Sequence, residues 1–266
     1  MPPSRPFLRF ALGALLLAGL LLLVGCTTGD PQSTFAPEGD VADRQRDLFN
    51  MVLWPAIFIM VLVLGGLVYI AVRFRRRSAD EPPPVQTHGN TRLEIAWTIA
   101  PAILLLIIAV PTVDAIVDLG RDPSPDALKI RVTGIQWRWQ FEYLDPEYEN
   151  ADGEPLRVFD QFHIPVDREI GVELESVDVL HSFWLPKLAG KLDVVPGRTN
   201  RMWFNATKPG TYSGQCAEFC GLSHADMRMS VVAESEEDFE AWIQDQLQGG
   251  AADDPGSGPA LVASGE

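Results

Sequence analysis

Beyond residue 30, two long stretches of this 266-residue chain carry no charged side chain at all, residues 48–72 and residues 95–113. At about 1.5 Å per residue, helices of these lengths reach across, or nearly across, a hydrocarbon layer of about 30 Å. A buried helix in a soluble domain is the alternative for the second stretch. Its flanking acids, Glu94 and Asp114, fit a membrane boundary better. Pro101 and Pro111 inside it are expected to kink the helix, which a membrane tolerates where neighbours satisfy the freed carbonyls. Arg73, Arg75, Arg76 and Arg77 close the first stretch and sit in the short loop between the two. The positive-inside rule puts that loop in the cytoplasm and the rest of the chain outside. The expectation is a transmembrane two-helix hairpin over 48–120, with spans about 48–73 and 95–117, carrying an exported domain.

The N-terminus supports export independently. Arg5 and Arg9 precede an apolar run from Phe10 to Val24, followed by Gly25 and Cys26, the layout of a secretory signal. Leu23-Val24-Gly25-Cys26 resembles a bacterial lipobox, which implies a lipoprotein-type signal peptide over 1–25 and a lipid on Cys26. An uncleaved membrane helix is the alternative. Residues 26–47 are polar and carry Pro, Gly and Asp, and they read as a mobile linker.

Charge separates the two halves. Residues 1–120 hold 9 basic and 10 acidic side chains, and residues 121–266 hold 12 and 26. An acidic outer half argues against a nucleic-acid partner and for a cationic one. It is also where the pattern turns to strands. Lys129–Thr133, Gln136–Tyr143, Arg157–Ile164, Gly171–Val177, Thr199–Phe204 and Met229–Ala233 are rich in β-branched and aromatic residues and are separated by Asp152-Gly153, Pro196-Gly197 and Pro209-Gly210. Short strands at this spacing predict an all-β Greek-key barrel or sandwich over 121–248. One helix is expected near Glu236–Leu247, capped by Ser235, with a disordered tail over 249–266.

One segment concentrates the chemistry. Between Gly214 and Met227 lie Cys216, Glu218, Cys220, His224 and Met227, with His181 upstream in Asp178-Val179-Leu180-His181-Ser182. Thiols, imidazoles and a thioether suit copper better than a hard cation. A Cys216–Cys220 disulfide is the ordinary reading outside the cytoplasm, and a zinc site of two Cys and two His is also open. Met227 favours copper, because a thioether is a poor zinc ligand. His88 and His163 have no ligand partners at useful spacing and read as ordinary loop and strand residues.

Several separated motifs then resemble one family. They are Glu94-Ile95-Ala96-Trp97-Thr98-Ile99-Ala100-Pro101, Gly134-Ile135-Gln136-Trp137-Arg138-Trp139 with Phe141-Glu142-Tyr143, Asp178 to Ser182, Val195-Pro196-Gly197-Arg198, and the cysteine loop. Over roughly residues 45–245 the chain resembles subunit II of the haem-copper cytochrome c oxidases, a transmembrane hairpin with an exported cupredoxin domain. That resemblance implies a dinuclear copper A centre. Cys216 and Cys220 would bridge the two ions, His181 and His224 would each bind one, and Met227 and the Glu218 carbonyl would be weak axial ligands. The Glu218 side chain would reach a Mg or Mn ion shared with subunit I.

The resemblance also implies partners and roles. Trp137 becomes the residue where the electron enters from cytochrome c. Along a strand Trp137 and Trp139 would share a face, and core packing is the ordinary reading, kept for Trp139. Glu142, Asp178, Asp145 and Glu147 are the acidic docking candidates for a cationic cytochrome c. Glu94, which by composition marks a membrane boundary, would guard a proton path in subunit I. The implied assembly includes subunits I and III in a bacterial plasma membrane, with the copper domain on the periplasmic face. The chain has no Cys-x-x-Cys-His run, so its donor would be a separate protein. The rivals are a copper-free quinol oxidase subunit II scaffold and a disulfide-bonded membrane lipoprotein.

Overall fold

The computed structural model describes residue 19 and residues 30–249, except 77, 79, 81–84 and 87. The proposed signal peptide (Gly19 aside), Cys26 and the tail from residue 250 lie outside the described residues.

Two long helices come first, α1 (Asp40–Arg73) and α2 (Thr91–Leu119). At 34 and 29 residues they run about 51 and 44 Å. Both are apolar enough to cross a membrane, and the most apolar window of each is wholly unburied by the rest of the chain. Phe58, Leu62, Leu106 and Val110 are each more than three-fifths exposed. A helix that presents such side chains all round requires lipid or a partner around it. Asn90 caps α2, its side chain accepting from the N–H groups of Arg92 and Leu93.

The helix α1 starts at Asp40, well inside the segment expected to be a mobile linker. Asp40 and Asp43 sit in its first turn, where the helix dipole favours acids. Val41 and Ala42 are buried against the β domain, which fixes this turn in place.

The β domain is a sandwich of two five-stranded sheets. Its strands are β1 (Leu128–Ile135), β2 (Arg138–Tyr143), β3 (Arg157–Phe159), β4 (Gln161–Pro165), β5 (Ile170–Ser176), β6 (His181–Trp184), β7 (Lys191–Val194), β8 (Asn200–Phe204), β9 (Gly210–Cys216) and β10 (Arg228–Glu234). One sheet runs β3-β2-β1-β5-β8 and the other β4-β10-β9-β6-β7. Alternation builds the core. Leu128, Ile130 and Val132 on β1 point inward and are fully buried, while Lys129 and Arg131 point out. Trp139, Phe141, Phe162, Phe183 and Phe204 fill the space between the sheets.

Two expected strands differ from those observed. Ile135 pairs with Arg138, so Gln136 and Trp137 form a two-residue turn between β1 and β2 and do not extend β2. The expected Arg157–Ile164 strand breaks at Asp160, whose φ of 58° lies in the left-handed region. The chain there passes from the first sheet to the second. The closing helix α3 (Glu236–Gln248) is as expected, with the Ser235 hydroxyl accepting from the Asp238 N–H. His163 is more than an ordinary strand residue. Its ring stacks on Trp242 of α3 at 4.1 Å and meets Glu234 at 2.7 Å, pinning that helix to the sheet.

Candidate metal centre

The sulfur and imidazole side chains of the cysteine loop meet at one end of the sandwich. Cys216 ends β9, His181 starts β6, His224 opens a 3-10 turn and Met227 precedes β10. Backbone bonds close the loop, with the Cys216 N–H donating to the Met227 carbonyl and the Ala217 N–H to that of Ser182, both at 2.9 Å. Gly134 makes room for the imidazole, since a Cβ there would lie 2.7 Å from the His181 ring. His181, Cys216, Cys220 and Met227 are buried.

Cys216 Sγ lies 3.8 Å from Cys220 Sγ and 3.9 Å from His181 Nδ1. Cys220 Sγ lies 3.6 Å from His224 Nδ1 and 3.7 Å from Met227 Sδ. The Glu218 carbonyl oxygen is 3.2 Å from Cys216 Sγ. A disulfide needs a sulfur separation of about 2.05 Å, and both thiols are free. The donor atoms of His181, Cys216 and Cys220 all lie within 4.8 Å of one another.

Electrostatics favours a soft cation here. Burial opposes ionisation of Cys216, but His181 and the backbone at Glu218 and Ser182 outweigh it and hold the thiol down to about 6. Burial, followed by the charge of Cys216, pushes the Cys220 thiol up to about 12. Positive charge between the two sulfurs would favour ionisation of both. Two thiols, two imidazoles, a buried thioether and a carbonyl fit the donor set of a dinuclear copper site. The inward Met227 sulfur separates this set from an ordinary zinc site.

The surroundings contain residues that the motif pattern did not single out as orienting groups. Asp178 Oδ1 meets His181 Nε2 at 2.8 Å. Although burial alone would raise it, the Asp178 carboxyl is lowered by the hydrogen bond to His181 and by bonds from the Gln136 and Val179 N–H groups. An ionised carboxylate only accepts, so Nε2 supplies the proton of this bond and the ring is held with Nδ1 facing Cys216 Sγ. The spacing of Asp178 three residues before His181 was a legible signal for this. Gln136 Nε2 donates to the Cys220 carbonyl at 2.6 Å, and Trp137 Nε1 donates to the same oxygen at 3.3 Å. Trp137 therefore touches the ligand loop while 37% exposed. Because it lies in the turn, it does not share the inward face of Trp139, which is buried with its ring edge-on to His181 at 6.0 Å.

The acidic candidates scatter. Glu142 is not a surface acid, because its side chain is 8% exposed and bonded to Arg157 at 2.6 Å, with Arg131 at 3.6 Å. It belongs to a row of alternating charge across five strands, Arg157, Glu142, Arg131, Glu173 and Arg201, each opposite the next. Asp145 and Glu147 follow the far end of β2, about 20 Å from Trp137 by strand rise. Asp145 accepts there from the Lys129 N–H. Only Asp178 lies at the metal end, held by His181. The Glu218 side chain is exposed beside the cysteines. Glu94 is exposed in the first turn of α2, at the end of the hairpin away from the sandwich.

These features define a membrane-attached cupredoxin-like sandwich with a buried sulfur and imidazole centre. Residues 37–114 match the family model described as cytochrome c oxidase subunit II, transmembrane domain, and residues 128–235 match its periplasmic domain. The chain belongs to the cytochrome c oxidase subunit II family. Cytochrome c oxidase subunit 2 of Alkalihalophilus pseudofirmus is 38% identical over 231 residues, covering 84% of this chain and 65% of that protein. A probable cytochrome c oxidase subunit 2 of Rickettsia bellii is 32% identical over 252 residues, covering 88% and 93%. Quinol oxidase subunit 2 of Bacillus subtilis is 32% identical over 248 residues, covering 90% and 74%. Among solved structures, the periplasmic domain of subunit II of cytochrome oxidase of Bradyrhizobium japonicum aligns at a TM-score of 0.44 and 28% identity, over 50% of this chain and 100% of that one.

Proposed function

We propose that this chain receives electrons from cytochrome c for a respiratory cytochrome c oxidase and passes them to haem in subunit I, where oxygen is reduced to water and protons are pumped. The observation that carries this reading is the convergence of free, buried Cys216 and Cys220 with buried His181 and Met227 and half-buried His224. Two copper ions held by these residues and the Glu218 carbonyl would supply a one-electron store whose bonds change little on reduction. The chain's own residues do the rest. Trp137 offers an exposed ring bonded to the Cys220 carbonyl, so a donor on the surface contacts the ligand loop through one side chain. Asp178 fixes the tautomer and orientation of His181. The Cys216 N–H bond to the Met227 carbonyl ties the loop ends together, and Cys216, Cys220 and Met227 are all buried.

The same reading assigns the exposed Glu218 carboxylate to a Mg or Mn ion shared with subunit I, and Glu94 to the mouth of a proton path there. It places the protein as a multi-pass component of a bacterial plasma membrane beside subunits I and III, with a lipid on Cys26. Steering of a cationic cytochrome c falls to the acidic outer half as a whole, and Glu142, Asp145 and Glu147 have no special part in it. A quinol oxidase relative is as similar to this chain as the Rickettsia protein is, at 32% identity each, but a copper-free scaffold gives no reason for the clustered sulfurs.

The test is rapid mixing of the copper-loaded full chain with reduced cytochrome c. Fast bimolecular oxidation that weakens with salt and drops strongly in Trp137→Ala is expected. A chain that binds copper yet does not oxidise cytochrome c would overturn the assignment.

A further inference from the structure

We propose that residues 30–47 form a strap that fixes the metal-bearing sandwich rigidly to the membrane hairpin, and that Gly39, Asp40 and Asn205 are positioning residues for electron delivery to the partner subunit. The proposal rests on the electron-transfer reading above for its consequence, but its structural claim stands on the strap alone.

The strap is bonded to the sandwich through Glu38 and Asp40. The Glu38 N–H donates to the Lys187 carbonyl at 2.8 Å, and the Glu38 carbonyl accepts from the Thr207 N–H at 2.8 Å. Lys208 Nζ meets the Glu38 carboxylate at 2.8 Å. One residue on, Asn205 clamps Asp40 twice. Its Oδ1 accepts from the Asp40 N–H at 2.9 Å, and its Nδ2 donates to the Asp40 carboxylate at 2.7 Å. These bonds tie residues 165 apart in the chain, so they are tertiary contacts and not turn chemistry.

Gly39 lies between them at φ −148° and ψ 152°, extended backbone that any residue adopts. Glycine is needed there for space. A Cβ would stand 2.3 Å from the Asn205 carbonyl oxygen and 2.9 Å from that of Leu188. The two chains approach backbone to backbone, which leaves little freedom for the strap to slide or lift.

The helix α1 then continues this contact into the membrane without a break. Val41 belongs to the sandwich core and Ala42 is buried beside it. Gln45 packs where Gly190 has no side chain. On the other side of the same turn, Arg44 bonds Asp114 and approaches Asp118 at 3.6 Å, joining α1 to α2. The second crossing is also held. Just after α2, Arg121 meets Glu169 at 2.6 Å and lies over the Trp203 ring at 3.9 Å. Both places where the chain passes between hairpin and sandwich are therefore fastened, and no free hinge remains between the ligand loop and the spans. The position of Cys216 and Cys220 over the membrane is set by this chain itself before any partner arrives.

The experiment uses the full chain in lipid nanodiscs, with spin labels introduced as unnatural amino acids at Lys191 and Val117, so that the native thiols stay untouched. The native chain should give one narrow interspin distance. Gly39→Val should broaden it. Asn205→Ala, which removes the clamp without adding bulk, serves as the second variant should Gly39→Val fail to accumulate. In the assembled oxidase, Asn205→Ala should slow internal electron transfer to haem several-fold while copper content, absorption spectrum and bimolecular reduction by cytochrome c stay native. A broad native distance, or unchanged width and internal rate in both variants, would overturn the proposal, as would a broadened distance with an unchanged internal rate. Absence of copper would instead defeat the electron-transfer reading, and the distance measurement would still judge the strap.

Discussion

The hairpin and the sandwich use apolar residues in opposite ways. In α1 and α2 most large hydrophobic side chains are exposed, and Arg44 pairs with Asp114 and Asp118 where the helices meet near their outer ends. In the sandwich Trp139, Phe141, Phe162, Phe183 and Phe204 are fully buried. The hairpin is incomplete without lipid and partner chains, whereas the sandwich is complete except at one end, where sulfurs and imidazoles face one another. The difference shows where function resides. The sandwich has a closed apolar core and uses that rigid frame to hold sulfur and imidazole donors together at one end.

The sharpest contrast compares Trp139→Ala with Phe58→Ala. The first empties a fully buried site and should cost about 3–5 kcal/mol of stability in denaturant unfolding. The second removes an outward-facing ring from α1 and should leave unfolding of the sandwich within about 0.5 kcal/mol of native. Comparable losses would mean that hairpin and sandwich unfold as one unit.

Asp178→Asn probes the metal end alone. Loss of the carboxylate at His181 Nε2 should weaken copper binding by about 10- to 100-fold, measured by competition with a chelator. Native affinity would show that His181 needs no orienting partner. Glu142→Gln probes the outer face of the first sheet. It should cost about 1–3 kcal/mol, because Arg157 and Arg131 lose their charged partner, while the salt dependence of cytochrome c oxidation stays native. A flattened salt dependence would return Glu142 to the docking surface.

The smallest expected effect concerns Glu169. Hydrogen bonds from Arg121 lower its carboxyl below the ordinary 4.5. A group depressed in the folded state stabilises it fully above the unfolded value, and that contribution disappears as pH falls through the folded value. Stability should therefore drop on acidification below about pH 4.5 less steeply in Glu169→Gln than in the native chain. Parallel pH profiles would remove Glu169 from the junction with the hairpin.

Much of this was legible in the amino-acid order. The uncharged runs gave away the hairpin, because lipid accepts nothing else, and the cysteine loop declared a soft-metal site by residue type. Strands β6, β7 and β9 escaped notice. The last carries Gly210, Ser213 and Gly214, which lower strand propensity, and it is held by pairing with β10 and β6. Alternation places Trp137 in a strand because it does not reveal a two-residue turn. Composition makes Glu142 a surface acid because it does not show that Arg131 and Arg157, on neighbouring strands, lie on either side of it. The strap looks like a loose linker for the same reason. Its polar residues are satisfied by Lys187, Asn205 and Thr207, which follow more than 140 residues later. For Glu142 and the strap, the missing information is a partner from another element of the fold.

The most direct test of the metal assignment is the copper content of the purified full chain after anaerobic loading, read together with its electron paramagnetic resonance spectrum. Two coppers per chain, with one unpaired electron shared over both nuclei, is the predicted result. A copper-free chain with Cys216 and Cys220 joined in a disulfide would contradict it.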